Sequence, residues 1–314
     1  MLRKELFSNI IRLSLGGMFV IAAILKLLSI DEFEIYIYSF NIFNFLITTV
    51  LSRLLIAGEF LLGLFLMLKI HYKTTWKIVF ALMAFFTLFL IYTAIFRNDE
   101  NCHCFGDFVK LNPIESIVKN VLVMVLLLLE RQRFQSQTEY SRIFICSLSV
   151  IAVLLPFIIS PMDSIYNRIY SGDDSISTID FYEAIDEVVE INFSDEIVFD
   201  TTAVLNLDDG KYLVAFVSAG CKYCKLGVQK LSMIMRNKGM DTDKVKILIW
   251  GSVEGIKRFR EETLTEGYSY WHILPNMSID ITYGKFPAFV WIEDKNIVNI
   301  GNFRDIDDNL NLTE

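Results

Sequence analysis

Residues 211–224 read KYLVAFVSAGCKYC, and this stretch decides how the C-terminal half of the chain folds. Residues 211–218 form an apolar run rich in β-favouring side chains, which predicts a buried strand. Ala219 and Gly220 then turn the chain into Cys221-Lys-Tyr-Cys224, and the amphipathic residues 225–236 predict a helix. The order is therefore a strand, a CxxC motif at a helix start, and the helix itself.

The position of a CxxC motif at the start of a helix has a chemical explanation. The helix dipole and the free N–H groups of the first turn stabilise a thiolate on Cys221. Cys224, one turn later, is placed to attack the Cys221 sulfur and so to resolve a mixed disulfide. We therefore predict Cys221 as the nucleophile and Cys224 as the resolving thiol. Two alternatives stay open, which are half of a zinc site and a redox-inert fold.

The residues after the CxxC complete the pattern. Residues 244–250 predict a second strand, residues 253–263 a second helix, and residues 293–296 the turn of a hairpin. In this arrangement the chain from about residue 198 to 303 resembles the thioredoxin superfamily, in which a cis-proline precedes a β-hairpin and faces the CxxC. The resemblance implies an α/β thioredoxin-like domain over residues 197–314, with Pro287 as that proline. Gly220 stands where many members have tryptophan.

The N-terminal half has a different composition. Hydrophobic residues make up 54% of the chain, which is too much for an ordinary soluble protein, and the long apolar runs end near Ser160. A helix needs about 20 apolar residues to cross a bilayer. Five stretches come close to this length, at residues 9–30, 48–68, 76–96, 113–129 and 143–160. We predict a transmembrane helical domain at residues 1–162 and a linker at residues 163–196, before the thioredoxin-like domain.

The distribution of charge predicts the orientation in the membrane, because Lys and Arg collect on the cytoplasmic side of short connections. One side of the predicted spans carries Arg3, Lys4, Arg12, Lys69, Lys73, Lys77, Arg131, Arg133 and Arg142. The other side carries Arg53, Arg97 and Lys110 among the acidic residues Asp31, Glu32, Glu34, Asp99, Glu100 and Asp107. We therefore expect a multi-pass protein of a cytoplasmic (inner) membrane with its N-terminus in the cytoplasm. Five spans place the third connecting loop and the C-terminal domain in the periplasm, where disulfides persist.

A second cysteine pair lies in that loop, in the sequence Cys102-His-Cys-Phe-Gly106. The first predicted helix contains Gly-Gly at residues 16–17 and Lys26-Leu27, and the second contains GEFLLG at residues 58–63. On these motifs the chain from about residue 12 to 129 resembles the DoxX-like group and, within it, the MauE branch associated with methylamine utilisation. His103 stands where that family often has glycine. The resemblance implies a four-helix bundle linked to periplasmic disulfide chemistry, to which a fifth helix and the thioredoxin-like domain are added.

Cys102 and Cys104 are candidates for a redox relay with the CxxC. A disulfide across one intervening residue closes a tight ring, and strain makes such a bond easier to reduce. There are two alternatives. The cysteines bind a metal ion together with His103, or they form a structural disulfide that only holds the loop. Within the bilayer, Lys26 and Glu59 are costly unless paired. In a functional role they would flank a quinone or substrate pocket, or couple a proton to electron transfer. In a structural role they would form an ion pair or extend their charged ends to the membrane surface.

Together these features predict a membrane-anchored periplasmic thiol:disulfide oxidoreductase that uses no dedicated cofactor. Its expected partners are periplasmic thiol or disulfide proteins and the lipid bilayer. A net charge of -8 argues against a nucleic-acid partner. One alternative is a MauE-like assembly or binding protein that helps a periplasmic client mature without net redox turnover. Another is a quinone-linked electron conduit, which needs a thiol or cofactor deeper in the bundle. Cys146 is the one cysteine available there, which argues against a thiol relay.

Overall fold

The N-terminal part of the chain folds into helices. The computed structural model describes residues 2–97, 101–130, 140–163, 165–166, 178–193, 197–207 and 209–312. Contacts divide the chain into two compact units, Met1–Met162 and Asp163–Glu314. The first unit contains α1 (Leu2–Leu28), α2 (Ile30–Tyr38), α3 (Phe45–Leu68), α4 (Tyr72–Phe96), the short strand β1 (Cys104–Asp107), α5 (Pro113–Glu130) and α6 (Arg142–Ile159).

Each predicted span coincides with a helix to within a few residues at most ends. Among the described residues, four helices are long and apolar enough to cross a membrane, namely Leu6–Leu28, Phe45–Leu68, Tyr72–Phe96 and Arg142–Ile159. The chain is therefore a multi-pass membrane protein. Helix α5 is absent from this set because its 18 residues include three charged ones, Glu115, Lys119 and Glu130. The five-span topology stays a prediction, and four of the residues on which it was based, Asp99, Glu100, Arg131 and Arg133, lie outside the described residues.

Helix α5 has its polar side turned inward. Ser116, Asn120 and Glu130 are buried in the unit, whereas large apolar side chains such as Ile114 and Val118 are exposed on the other side. Burial of polar groups with exposure of apolar groups is the pattern expected of a helix that faces lipid. This arrangement favours a membrane position for α5 despite its three charged residues.

Helices α1 and α3 approach each other closely at two glycines. A Cβ built on Gly16 would lie 2.7 Å from the Gly63 carbonyl oxygen, and one built on Gly63 would lie 2.7 Å from the Gly16 carbonyl oxygen. Small residues at such a crossing let two membrane helices pack backbone to backbone. The glycine motifs of the first two predicted spans therefore have a packing role in the bundle core.

The segment between α1 and α3 differs from the acidic loop that we expected. Residues 30–38 form α2, and Glu34 is 4% exposed. Its carboxylate forms an ion pair with Arg53, which is 2% exposed in α3. The Arg53 side chain also donates to the carbonyl oxygens of Ser160 (2.9 Å) and Pro161 (3.3 Å). Two charges that were counted as residues of the outer surface thus pair inside the helical unit.

The second unit is an α/β domain. Its described elements are α7 (Thr178–Ile185), β2 (Val189–Phe193), β3 (Ile197–Asp200), β4 (Lys211–Ser218), α8 (Lys222–Lys238), β5 (Val245–Trp250), α9 (Val253–Thr263), β6 (Ser269–His272), α10 (Pro275–Thr282), β7 (Ala288–Glu293) and β8 (Asn296–Gly301). Within the described residues the sheet has seven strands in the order β3-β2-β6-β5-β4-β7-β8.

The central strands have the thioredoxin-like arrangement. Strand β4 pairs in parallel with β5 and antiparallel with β7, and β7 continues into a hairpin with β8. Alternating side chains of these strands, such as Val214, Phe216 and Val290, are fully buried and form the core. A CxxC motif follows the central strand β4, as the sequence predicted. The protein therefore joins a membrane helical domain to a thioredoxin-like α/β domain.

Residues 163–196 contain more structure than the predicted linker. Thr178–Ile185 is helix α7, and Phe181 is fully buried in the core of the second unit. Val189–Phe193 is strand β2, which pairs with β3 and β6. The second half of this segment therefore belongs to the folded domain. Apolar side chains that leave water stabilise it there by about 25 cal/mol per Å² of buried area.

Candidate functional site

The junction of β4 and α8 positions Cys221. The Cys221 N–H donates to the Ser218 carbonyl oxygen at 3.1 Å, which closes the turn after the strand. Cys221 is the N-cap of α8, and its Sγ accepts a hydrogen bond from the Cys224 N–H at 3.2 Å. The sulfur thus occupies the place where an oxygen acceptor stabilises an ordinary helix N-terminus. A negative charge on this sulfur faces the positive end of the helix dipole.

The two thiols of the CxxC differ in their surroundings. Cys221 is partly exposed, whereas Cys224 is fully buried. A hydrogen bond from the Cys224 thiol, assisted by the backbone N–H groups of Cys224 and Tyr223, lowers the pKa of Cys221 to about 6 against the opposing effect of burial. Burial, followed by the hydrogen bond to Cys221, raises the pKa of Cys224. Near neutral pH this pair contains one accessible thiolate and one protonated thiol, which is the pairing that disulfide exchange requires.

Pro287 lies at the same end of the sheet as the CxxC. The Phe286–Pro287 peptide bond is cis, as the family resemblance implied. Strand β7 begins at the next residue, Ala288, which pairs with Phe216 two positions before the end of β4. This register places Pro287 beside the last residues of β4, from which the chain turns into Cys221.

Two features of the surface around Cys221 were not predicted in detail. A Cβ built on Gly220 meets no heavy atom within 4 Å, so the missing tryptophan leaves open space. Tyr223 is 49% exposed and stacks on Phe303, with 5.3 Å between ring centroids. The residues are 80 positions apart, and no periodicity links them in the sequence. The exposed ring provides an apolar surface beside the nucleophile on which a partner chain can pack.

The second cysteine pair is built into the connection between α4 and α5. Cys102 is 5% exposed, and its Sγ and the Ser116 Oγ share a hydrogen bond of 2.8 Å. The Cys104 N–H donates to the Cys102 Sγ at 3.3 Å, and Cys104 is partly exposed. Ser116 is fully buried in α5 and was not among the predicted site residues. The inward polar positions of α5, at Ser116 and Asn120, were the signal in the sequence that could have indicated it.

The backbone of this loop is fixed against the end of α1. The Asp107 N–H donates to the Ser29 Oγ at 3.1 Å, and the Ser29 Oγ donates to the Leu25 carbonyl oxygen at 3.0 Å. Gly106 has a φ of +66°, and His103 has a φ of +51°. Positive φ favours glycine, so His103 holds a backbone conformation that glycine would adopt without strain. The His103 ring lies 4.7 Å from the Tyr36 ring, centroid to centroid.

Replacing Gly106 by alanine is expected to destabilise the helical unit. The left-handed backbone alone costs about 1–2 kcal/mol for a residue with a Cβ, and the new Cβ would lie 2.7 Å from the Leu25 carbonyl oxygen and against the Ser29 Oγ. Thermal unfolding of the detergent-solubilised chain measures the loss. Gly17→Ala is the matched control, because a Cβ on Gly17 meets no heavy atom within 4 Å. An equal loss of stability in both variants would contradict the assignment of this role to Gly106.

Lys26 and Glu59 form an ion pair in the helical unit. The Lys26 Nζ lies 2.6 Å from the Glu59 Oε2, and the two side chains are 9% and 13% exposed. This contact fits the prediction that two charges within the bilayer would pair. The Lys26 Nζ also lies 5.6 Å from the centre of the Phe33 ring.

The remaining groups named from the sequence add little to either site. Cys146 is exposed on α6, and all five cysteines are free thiols in the structure. Over the described parts of the chain, no three His, Cys, Asp or Glu side chains are grouped closely enough to hold a metal ion.

Comparison with known proteins finds similarity both in the N-terminal part and along most of the chain. Residues 4–130 match the family described as Methylamine utilisation protein MauE. The chain is also 26% identical to Protein TlpB of Flavobacterium psychrophilum, over 84% of this chain and 83% of that protein. No solved structure matches. These similarities confirm the MauE-type domain at residues 4–130, and the TlpB similarity, which covers most of the chain, extends over residues of both units.

Proposed function

We propose that this protein is a membrane-anchored thiol:disulfide oxidoreductase whose thioredoxin-like domain exchanges disulfides with partner proteins. Cys221 attacks one sulfur of a partner disulfide, or receives attack when the CxxC is oxidised. In the first case Cys224 then attacks the Cys221 sulfur and releases the reduced partner. In the second case Cys224 leaves as a thiolate, and a second thiol of the partner attacks the partner sulfur of the mixed disulfide, which releases an oxidised partner and a reduced CxxC. The reaction needs no cofactor, because the two sulfurs carry the electron pair.

One observation carries this proposal, which is the asymmetry of the CxxC. Cys221 combines partial exposure, the helix N-cap position and a pKa lowered to about 6, whereas Cys224 is buried beneath it with a raised pKa. A structural cysteine pair requires neither an accessible thiolate nor an N-cap sulfur. Reactive cysteines occupy electropositive and partly exposed positions of this kind.

The location of the domain follows from the predicted topology. An N-terminus in the cytoplasm and five spans would place both the thioredoxin-like domain and the Cys102–Cys104 loop in the periplasm. The proposal is supported by the clustering of Lys and Arg on one side of the spans and by the lipid-facing pattern of α5. The partners are then periplasmic proteins that carry thiols or disulfides, and the Cys102–Cys104 pair is one candidate among them.

A trapping experiment tests the proposal. In a Cys224→Ser variant of the full chain, Cys221 still forms the mixed disulfide but the resolving thiol is missing, so the covalent complex should accumulate. Non-reducing gels of membranes that express the variant measure this complex, and mass spectrometry identifies the partner. The Cys221→Ser/Cys224→Ser variant is the matched control, in which the complex should disappear.

The outcome separates the alternatives. A complex held through Cys221 to separate proteins supports the oxidoreductase, and a link to Cys102 or Cys104 adds a relay inside the chain. The absence of any covalent complex would contradict the proposal and favour a MauE-like assembly protein that binds its client without redox turnover. The quinone-linked conduit predicts instead that added quinone changes the redox state of the cysteines in purified protein.

A further inference from the structure

The loop that carries Cys102 and Cys104 has a defined position between three helices. The Cys102 N–H donates to the Leu111 carbonyl oxygen at 2.8 Å, close to the start of α5. Gly106 and Asp107 contact Ser29 and the end of α1. The loop is thus held at both ends, so the surroundings of its two sulfurs are set by the fold.

The two sulfurs have unlike surroundings. The Cys102 sulfur is buried and bonded to the Ser116 hydroxyl, and it also receives the Cys104 N–H. Cys104 is the partly exposed member of the pair. The pair therefore repeats the asymmetry of Cys221 and Cys224, but in reverse order along the chain. The partly exposed residue of the pair comes second here, whereas it comes first in the CxxC.

Two cations from different helices act on Cys104. A hydrogen bond with Cys102 lowers the pKa of Cys104 to about 6, and the charges of Lys119 and Lys26 and a hydrogen bond with Ser116 assist it against the effect of burial. The same pairing and burial raise the pKa of Cys102. The Lys119 Nζ lies 4.7 Å from the centre of the Phe105 ring, directly next to Cys104 in the chain. The Lys26 Nζ also lies 2.6 Å from the Glu59 Oε2, so the charge of Lys26 acts on a carboxylate as well as on Cys104.

Four other titratable groups near the loop have partners of their own. Asp107 and Lys110 form a pair of 3.9 Å on its exposed side, and their side chains are 40% and 71% exposed. The His103 ring packs against Tyr36 of α2. Glu34 of α2 is paired with Arg53. Lys26 and Lys119 are therefore the charges expected to govern the reactivity of Cys104.

We propose that the loop is a second dithiol centre, in which Cys104 is the attacking thiolate, Cys102 the resolving thiol, and Lys26 and Lys119 the positioning cations. This inference deepens the proposed oxidoreductase function and rests on it for its biological partner. The substrate class is a protein disulfide, from the CxxC of this chain or from a separate protein. Glu59 weakens the hold of Lys26 on the thiolate, because it competes for the same ammonium group.

The exchange balances without any added reactant. The Cys104 thiolate attacks one sulfur of the partner disulfide, a Cys104–partner bond forms, and the second partner sulfur leaves as a thiolate. That thiolate takes the proton of Cys102, and the Cys102 thiolate attacks the Cys104 sulfur. The products are a Cys102–Cys104 disulfide and a reduced partner with one thiol and one thiolate. Two electrons have passed from the loop to the partner, and the reverse sequence oxidises the partner.

Alkylation kinetics test the site apart from the CxxC. The probe is iodoacetamide, applied between pH 4 and 9 to the detergent-solubilised full chain with Cys146, Cys221 and Cys224 replaced by serine. Peptide mass spectrometry follows Cys102 and Cys104 separately. Cys104 should react at least about tenfold faster than Cys102 at pH 7, with half-maximal rate near pH 6, because the thiolate is the reactive species. Faster labelling of Cys102 would overturn the assignment.

Charge variants in the same background test the positioning residues. Lys119→Met and Lys26→Met should move the midpoint of Cys104 to higher pH, and Lys119→Arg and Lys26→Arg should restore it. Glu59→Gln should move it to lower pH, because Lys26 then loses its competing anion. Lys110→Met is the matched control, since that exposed lysine is paired with Asp107, and should leave the midpoint in place. If no substitution at Lys26, Lys119 or Glu59 changes the pH midpoint of Cys104 alkylation, the positioning role is overturned.

The partner is identified by a trap that uses Cys102→Ser. With the CxxC intact, a Cys104–Cys221 or Cys104–Cys224 crosslink identifies the CxxC of the same protein as the source of the disulfide. With the CxxC replaced by serines, a remaining Cys104 complex identifies a separate protein. If the alkylation of Cys104 has its low pH midpoint but Cys104 forms neither the crosslink to the CxxC nor a complex with a separate protein, the dithiol exchange is contradicted. If the Cys224→Ser trap gives no complex while the Cys104 trap does, the second dithiol centre is supported and the proposed role of Cys221 is contradicted.

Discussion

A Cys221→Ser variant of the full chain is expected to lose disulfide exchange by the thioredoxin-like domain, by at least about a hundredfold in rate. The serine hydroxyl stays protonated at neutral pH, so the substitution removes the thiolate that the helix N-terminus and the Cys224 thiol stabilise. Reduction of insulin disulfides by the purified chain in detergent, with dithiothreitol as the terminal reductant, measures the rate. The comparison is made with Cys102 and Cys104 replaced by serine, so that the second cysteine pair cannot contribute.

Two control variants test whether the loss of rate is specific to Cys221. Cys146→Ser changes an exposed cysteine on α6 and should leave the rate unchanged. Cys102→Ser/Cys104→Ser removes the second cysteine pair, and insulin reduction should continue, because dithiothreitol reaches the CxxC directly. Exchange that persists in Cys221→Ser and disappears in Cys102→Ser/Cys104→Ser would contradict the assignment and identify the loop as the attacking site.

The same variant distinguishes an oxidoreductase from a binding protein. A protein that holds its client by surface contacts should still capture it after Cys221→Ser, because serine preserves the size of the side chain. The exposed Tyr223 ring beside the nucleophile is a candidate for such contacts. Co-purification of the client with Cys221→Ser, together with unchanged maturation, would therefore favour the assembly function.

The parts of the fold that follow from local pattern were predictable. Long apolar runs specified the helices of the first unit, because a run of about 20 apolar residues has few alternatives to a membrane helix. The placement of Cys221 between β4 and α8 followed from a β-rich run that ends in a CxxC and an amphipathic stretch. The cis peptide bond before Pro287 was implied by the family resemblance.

The features that depend on packing between distant residues were not predictable from pattern alone. Strand β2 carried a usable signal, since Val189-Glu-Ile-Asn-Phe193 alternates apolar and polar residues, but the acidic sequence around it indicated a linker. The contact of Ser116 with Cys102 joins a loop to a helix one turn from its start. Nothing in the spacing of these two residues indicates a hydrogen bond, because the geometry of the loop sets it.

There is a physical reason why the pairing of Glu34 with Arg53 was not predicted from the sequence. Charges next to a span are normally assigned to water, and the short helix α2 that buries Glu34 has only nine residues. Arg53 lies within the predicted second span, where a charge is costly unless it is paired. That cost was itself a signal that a partner exists, and it would have led to an acidic residue on a neighbouring element.

Replacing Arg53 by methionine is expected to lower the stability of the helical unit by about 3–5 kcal/mol, the usual cost of removing one partner of a buried ion pair. The Glu34 carboxylate would remain 4% exposed with its strongest partner gone. The carbonyl oxygens of Thr49 and Ser160 would also lose a donor. Thermal unfolding in detergent, followed by the loss of helical circular dichroism, measures the effect.

Two further variants show whether the charge is responsible. Glu34→Gln/Arg53→Met removes both charges and should recover most of the lost stability, since a buried pair is replaced by groups that need no counter-ion. Lys73→Met removes an exposed charge from α4 and should have little effect. Equal destabilisation in the single and double variants would assign the role of Arg53 to its bonds with the carbonyl groups instead. Because those bonds reach Ser160 and Pro161, Arg53 would then act mainly by fixing the end of α6, where the chain leaves the membrane unit.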